Sequence, residues 1–245
     1  ARQCHAAGLK VGIHTMTSFV SKNDALVRPR PDPRLLKDAE THLTRDLDGN
    51  DAVIPVESHE GFAENPSHGN DPGGMDVQID DEIIRYDAIG KTGKPRLLRC
   101  VRGACGTKAA PHRAGAKVRH LTQRFNHYLA DLKSPLKDKI AGRLAGVINR
   151  CELDMIYFDG GEGSSANGPN WYWLGALQSE FFRRVKRDVL VQGSARNHWT
   201  WHFYSRGTCG DYAALAPKQF LDYYKIANMW NHYHDSFLPA ELGWW

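Results

Sequence analysis

The chain has 245 residues, of which 41% are hydrophobic and 24% are charged, and its formal net charge is +4. This length and composition are typical of a globular protein with one large domain, or with a core domain and a smaller insert. They exclude a disordered tail, and the sequence has no apolar run of about 18 residues that would predict a membrane-spanning helix. Lysine and arginine are scattered along the chain, so we expect neither nucleic acid nor a membrane as a partner.

Within the first 121 residues, the sequence pattern changes at about Thr41. Gly8 is typical of a helix C-terminus, and a strand is predicted at residues 10–14, which end at His14. The proline-rich passage "RPRPDPRLLKD" then predicts an extended connector. From Thr41 to Leu121, short alternating segments separated by Gly, Pro, Asn and Asp predict a small antiparallel β module.

Part of this module resembles a known β element. Residues 77–121 combine an acidic and aromatic strand with the turn "RGACGT" and the segment "HRAGAKV". This stretch resembles a small β insert that is seen in phage fibre proteins and within other folds. The resemblance implies a scaffold or an adaptor and says little about chemistry.

After the module the pattern becomes helical. Ser134 is a predicted N-cap before Pro135, and apolar residues follow at helical spacing. A strand at residues 155–158, a second amphipathic helix at 171–185 and the strand "DVLVQG" come next. This alternation predicts parallel strands that are joined by crossover helices.

We therefore predict an α/β fold, a (β/α) barrel of the TIM type with an inserted antiparallel β module. The barrel would comprise residues 1–40 and 122–245, and the insert residues 41–121. A complete barrel needs about 250 residues without any insert. The alternatives are therefore a partial barrel, an open sheet, or a domain of which much lies outside this sequence.

The segment "LDMIYFDGGEG" at residues 153–163 contains the strongest candidate for a reactive group. Asp159 ends a predicted buried strand, the place where sites form in α/β proteins. Gly160 and Gly161 allow a sharp turn that leaves the carboxylate accessible. The alternative is an aspartate that forms a turn or caps a helix.

The motif "LDMIYFDG" resembles the fourth-strand motif of retaining glycoside hydrolases with a (β/α)8 barrel. The resemblance is to the α-L-fucosidases, whose strand ends in the nucleophilic aspartate, and to α-galactosidase-like families, which place an aspartate at the same strand. Tyr157 stands where the fucosidases commonly have tryptophan. The resemblance implies a carbohydrate-active enzyme in which Asp159 is the nucleophile, and it does not fix the sugar.

Glycoside hydrolysis needs a second carboxyl group, roughly 5–9 Å from the first. With Asp159 as nucleophile or base, the candidates for the acid are Asp211, Glu241 and Glu162. Asp211 follows a predicted strand and ranks slightly above Glu241, which precedes one. Glu162 lies three residues after Asp159 and is equally interpreted as a hydrogen-bond acceptor for substrate.

A second group of polar and aromatic residues is predicted to bind substrate. The loop after "VLVQ" combines hydrogen-bonding groups with rings that can stack on sugars, as a sugar subsite requires, and a surface loop pinned by aromatic residues is the alternative. His14 ends the first predicted strand, just as Asp159 ends a later one, so both would lie at the same edge of the sheet. The alternative is that His14 has a structural role. The predicted binding residues are His14, Gln192, Arg196, His198, Trp199 and His202.

We predict no metal site and no cofactor. His232 and His234 are spaced i, i+2, so they would face opposite ways on a helix.

Three functions follow from these residues. The leading one is a glycoside hydrolase acting on an oligosaccharide or polysaccharide, with carbohydrate as its partner. A non-catalytic carbohydrate-binding or adhesion protein is the alternative, because of the fibre-like insert and the lack of an obvious acid. A polysaccharide lyase is a third, since His and Tyr near Arg can abstract a proton beside a uronate. A secreted or periplasmic location is favoured by this substrate class alone.

Overall fold

The computed structural model describes residues 1–67, 73–161, 170–193, 203 and 206–207. The chain divides into two compact units. The first, here called the parallel unit, comprises residues 1–17, 138–162 and 169–245. The second, here called the β unit, comprises residues 18–137 and 163–168. None of the described helices is long and apolar enough to cross a membrane.

The described elements are numbered in chain order. The helices are α1 (Arg2–Ala6), α2 (Leu136–Cys151) and α3 (Asn170–Arg184), and a 3-10 helix spans Ala104–Gly106. The strands are β1 (Gly12–Met16), β2 (Phe19–Val20), β3 (Lys37–His42), β4 (Ile54–Pro55), β5 (Asp76–Ile79), β6 (Glu82–Arg85), β7 (Ala88–Ile89), β8 (Arg96–Leu98), β9 (Lys117–Leu121), β10 (Gln123–Arg124), β11 (His127–Leu129), β12 (Met155–Asp159), β13 (Leu190–Gly193) and β14 (Arg206–Gly207).

A four-stranded parallel sheet with the order β1-β12-β13-β14 organises the parallel unit. Successive side chains of a strand point to opposite faces, so β12 divides its residues between two environments. Ile156 and Phe158 are almost fully buried, and the ring of Phe158 packs edge-on against Phe181 of α3 at 5.2 Å. Tyr157 and Asp159 therefore lie on the other face of the sheet.

Several predictions about these elements are confirmed. The Ser134 hydroxyl accepts a hydrogen bond from the backbone N–H of Leu136 at 3.2 Å, as an N-cap before α2 does. The strands β1, β12 and β13 pair in parallel, and α3 lies between β12 and β13 along the chain. For β12 the sequence period was sufficient because the strand alternates between buried and partly exposed residues.

The predicted TIM-type barrel is wrong. In the described part of the chain the parallel sheet has four strands and is open, with β1 and β14 at its edges, and it is accompanied by three antiparallel sheets and three α-helices. A barrel closes only when its first and last strands pair, after eight strands. The alternation of helices and strands is the same locally in an open sheet, so the sequence pattern did not distinguish the two.

Three small antiparallel sheets form the β unit; strands β4 to β9 lie within the predicted module, whereas the sheet β10-β11-β2 lies outside it. Their strand orders are β10-β11-β2, β3-β9-β5-β6 and β4-β8-β7. Aliphatic side chains from several of these strands meet in one core, which includes Ile54, Val77, Ile79, Ile84, Leu97 and Val118. The insert boundaries at residues 41 and 121 stay a prediction.

A buried carboxylate ties three segments of the β unit together. The side chain of Glu82 is 1% exposed and forms a two-pronged ion pair with Arg102 at 2.8 and 2.9 Å. It also accepts hydrogen bonds from the backbone N–H groups of Gly103 and Ala110 and lies 2.8 Å from His112 Nε2. Burial alone would raise the pKa of Glu82, but these bonds outweigh it and hold the pKa at about 2.

Candidate functional site

The backbone that carries Asp159 is fixed at the end of β12. The carbonyl oxygen of Asp159 accepts hydrogen bonds from the backbone N–H of Thr17, at 2.9 Å, and from its hydroxyl, at 2.8 Å. Thr17 is 2% exposed, so this anchor is shielded from water. Gly160 then adopts a φ of 72°, a conformation that favours glycine, and the chain turns away.

The Asp159 carboxylate has a defined orientation while remaining accessible. Its Oδ1 accepts a hydrogen bond from the backbone N–H of Gly160 at 2.8 Å. Its Oδ2 lies 2.8 Å from Nε2 of His14 on the neighbouring strand β1. The side chain of Asp159 is 30% exposed and that of His14 is 61% exposed. A ligand in solvent can therefore approach both groups.

The hydrogen bond determines which nitrogen of His14 carries a proton. An ionised carboxylate only accepts hydrogen bonds, so Nε2 of His14 must be the donor. In the neutral ring, Nδ1 is then an acceptor. The pair thus presents carboxylate oxygens and a second ring nitrogen toward solvent.

Four side chains share one face of the parallel sheet, here called the polar face. The strand register places His14 beside Tyr157 and Tyr157 beside Gln192. Residues in register on parallel strands project to the same side, and Asp159 follows Tyr157 by two positions, so it projects there too. The rings of His14 and Tyr157 meet edge to face, with centroids 4.9 Å apart.

Gln192 contributes an unusual feature to the polar face. Its side chain is 7% exposed, and its Nε2 atom is buried without a hydrogen-bond partner among the described residues. A buried amide without a partner is costly, and such groups are often completed by a ligand or an ion. Gln192 therefore fits the predicted role of a substrate-binding donor.

The structure brings together three of the predicted site residues, Asp159, His14 and Gln192. The remaining predicted residues lie outside the described part of the chain, so their roles stay predictions. These are the acid candidates Glu162, Asp211 and Glu241, and the binding candidates Arg196, His198, Trp199 and His202.

Sequence reasoning missed two contributors to this site. Tyr157 shares the polar face with Asp159, and the spacing of two residues on a predicted strand was a sufficient signal for it. Thr17, which holds the Asp159 backbone, gave no signal because it lies 142 positions away along the chain.

Another aspartate of the same motif lies at the opposite end of β12. Asp154 accepts hydrogen bonds from the backbone N–H of Val11, at 2.9 Å, and from Arg187, at 3.2 Å, and its Oδ2 lies 2.7 Å from His5 Nε2. The bond from Val11, followed by that from His5, holds the pKa of Asp154 at about 2. Asp154 thus connects α1, the residue before β1 and the segment before β13, at the end of β12 that is opposite to Asp159.

No protein-family model and no curated protein matches the chain. The chemistry of the polar face is therefore the basis for assigning a function.

Proposed function

We propose that the protein is a glycoside hydrolase in which Asp159 acts as nucleophile or general base. One observation carries this proposal: the partly exposed Asp159 carboxylate lies 2.8 Å from His14 on the same sheet face as Tyr157 and Gln192. A carboxylate is the reactive group of most glycoside hydrolases. The neighbouring ring and amide are groups that contact sugar faces and hydroxyls.

Asp159 would act in one of two ways. As a nucleophile, its free lone pairs attack the anomeric carbon and form a glycosyl-enzyme ester that water then hydrolyses. As a base, it removes a proton from water, and the oxygen of that water attacks the anomeric carbon. In both cases a second carboxyl group protonates the departing glycosidic oxygen, and Asp211, Glu241 and Glu162 are the proposed acids.

His14 would serve as a positioning residue in this reaction. Its N–H bond to Oδ2 of Asp159 fixes the rotation of the carboxylate. The backbone N–H of Gly160 restrains Oδ1 in the same manner. A carboxylate restrained at both oxygens loses little freedom when the substrate arrives.

The proposal does not depend on a barrel fold. Unrelated folds carry the same chemistry, and function is argued from the site itself. The edge at which β12 ends is where ligands bind in open α/β sheets as well as in barrels.

The same pair favours a second candidate, a polysaccharide lyase. A base held by a carboxylate behind it is a recurring catalytic arrangement, and Asp159 holds Nε2 of His14 in this way. Nδ1 of His14 would then take the proton beside the carboxylate of a uronate, the electron pair would form the double bond, and the glycosidic oxygen on the next carbon would leave with a proton from water. The products are a new chain end and a ring with a carbon–carbon double bond.

A product assay on the full chain separates these candidates. The purified protein is incubated with neutral and acidic polysaccharides, and reducing ends and ultraviolet absorbance are both followed. The proposed hydrolase produces reducing ends without new absorbance, and a lyase produces both together. Saccharide binding without either product would overturn both enzymatic proposals and favour the carbohydrate-binding alternative.

A further inference from the structure

The β unit contains a cavity that the proposed reaction does not use. Its volume is about 510 Å³, and its lining includes Lys22, Ser67, Asp76, Arg85, Asp87 and Arg99. All of these residues belong to the β unit. Pockets of about 300–1,000 Å³ are the usual size for organic ligands, and an inorganic ion would fill only a small part of such a space.

The floor of this cavity carries an excess of positive charge. Asp76 is completely buried and forms a two-pronged ion pair with Arg85 at 2.7 and 3.1 Å. Lys22 Nζ lies 3.1 Å from the same carboxylate, and the Tyr128 hydroxyl donates to it at 2.7 Å. Two cations therefore face a single anion.

The Asp76 carboxylate is ionised in this setting. Burial alone would raise the pKa of Asp76, but the hydrogen bond from Arg85 and the positive charge of Lys22 outweigh that effect and lower it. Asp76 thus acts as a fixed counter-charge that orients Lys22 and Arg85 toward the cavity floor, and one positive charge remains uncompensated there.

Several donors of the lining remain available for a ligand. Arg85 uses Nε and Nη2 for its contacts, and its Nη1 has no hydrogen-bond partner in the described part of the chain. Arg99 uses Nε for Asp87, so within the same residues both of its Nη groups are unpaired. The hydroxyl of Ser67, an 8% exposed residue, is buried without a partner there.

The lining also offers an acceptor, an apolar surface and a wall without side chains. Asp87 is 67% exposed, and among the described side chains Arg99 alone engages it, at Oδ2. Val101 is 59% exposed, an unusual value for a valine. Gly74, at a φ of 98°, lies so close to the Gln123 side chain that a Cβ would fall 2.3 Å from it. Glycine here leaves room for the Gln123 side chain, which also lines the cavity.

We propose that this cavity binds an acidic saccharide and holds the carboxylate of a uronate residue against Arg85, Arg99 and Lys22. Guanidinium groups match the geometry of a carboxylate, which explains the excess cations. The sugar hydroxyls both donate and accept hydrogen bonds, so they suit a lining with Ser67 and Asp87. The exposed valine would cover the C–H surface of a sugar ring.

An acidic peptide fits this lining less well. Consecutive acidic side chains would bring further negative charge toward Asp87, whereas a uronate ring has one carboxylate and several neutral hydroxyls. The cavity is lined by residues of the β unit, whereas Asp159 belongs to the parallel unit, so the proposal stands whether or not the chain cleaves sugars.

Calorimetric titration of the full chain tests the proposal, with a trimer of galacturonate as the probe and the neutral galactose trimer and triglutamate as comparisons. We expect saturable binding of the galacturonate trimer alone. The Arg99→Gln variant should weaken this binding at least tenfold, because a charge-assisted hydrogen bond contributes roughly 1.5–3 kcal/mol. The matched Arg113→Gln variant removes an Arg that is 90% exposed and does not line the cavity, and it should bind as the unaltered chain does.

A second variant changes the charge of the lining without removing a partner of its ion pairs. Val101→Asp places a negative charge on the exposed wall and should abolish binding of the galacturonate trimer, while Val53→Asp, at another exposed valine, should not. Equal binding of the neutral trimer or of triglutamate would overturn the proposal. Unchanged affinity in Arg99→Gln and Val101→Asp would overturn it as well.

Discussion

Two carboxylates, one in each unit of the molecule, show how differently a protein can hold the same group. Glu82 in the β unit is 1% exposed and is contacted by two side chains and two backbone N–H groups. Asp159 in the parallel unit is 30% exposed, and among the described residues one imidazole and one backbone N–H contact it. The first carboxylate has no capacity left for a ligand, whereas the second is oriented but still available. The comparison teaches that exposure and unused lone pairs, more than charge, distinguish a reactive carboxylate from a structural one.

The largest effect should come from Asp159→Asn. The amide keeps the shape of the side chain but is a poor nucleophile and base, so turnover should fall at least about 10³-fold. Initial rates of reducing-end release, at equal concentrations of folded protein, measure this change. The matched control is Asp188→Asn, at an exposed aspartate of the same unit, and it should retain the full rate.

The next largest effect concerns stability. Glu82→Gln leaves Arg102 and His112 without their buried counter-charge, which should lower the free energy of unfolding by about 3–5 kcal/mol. Urea unfolding measures this loss, and the rate per folded molecule should not change. Glu57→Gln, at a 62% exposed glutamate of the same unit, should change stability by less than about 0.5 kcal/mol. Equal losses in the two variants would contradict the structural role of Glu82.

A smaller effect is expected from His14→Gln. Losing a charge-assisted hydrogen bond to Asp159 should reduce kcat/KM by roughly 10–100-fold. His59→Gln, in the β unit, should leave kcat/KM unchanged. A loss near 10⁴-fold would instead identify His14 as the base of a lyase.

The smallest effect is a pH dependence of stability. The pKa of Glu82 is about 2 in the folded protein and 4.5 as a free side chain, so the unfolded state takes up the proton first. Its contribution is therefore complete above about pH 4.5 and is lost as the pH falls toward 2, by up to about 1.4 kcal/mol per pH unit. Urea unfolding is measured at several pH values between about 5 and 3. The free energy of unfolding should fall less steeply with decreasing pH for Glu82→Gln than for the unaltered chain. Identical slopes would contradict the depressed pKa.

The sequence was informative where one residue and its neighbours decide the structure. The N-cap at Ser134, the helix after it and the strand that ends at Asp159 depend on local spacing, and the structure confirms them. Gly160 also behaves as predicted, with a positive φ directly after the strand.

The rest depends on pairings between distant segments. The contacts of Asp159 with His14 and Thr17 join residues about 140 positions apart, and no local pattern encodes them. Closure of a barrel is likewise a property of the whole sheet, so a motif of eight residues implied a fold that the described residues do not form. Asp76, the centre of the cavity in the β unit, was not singled out because its charge partners come from separate strands and turns.

A crystal structure of the Asp159→Asn variant with an oligosaccharide that the unaltered protein cleaves would test the central claim most directly. The account predicts the anomeric carbon about 3–3.5 Å from the side chain of residue 159, or one water molecule away from it, with a sugar hydroxyl bonded to Gln192. A saccharide bound away from His14, Tyr157 and residue 159 would contradict the account.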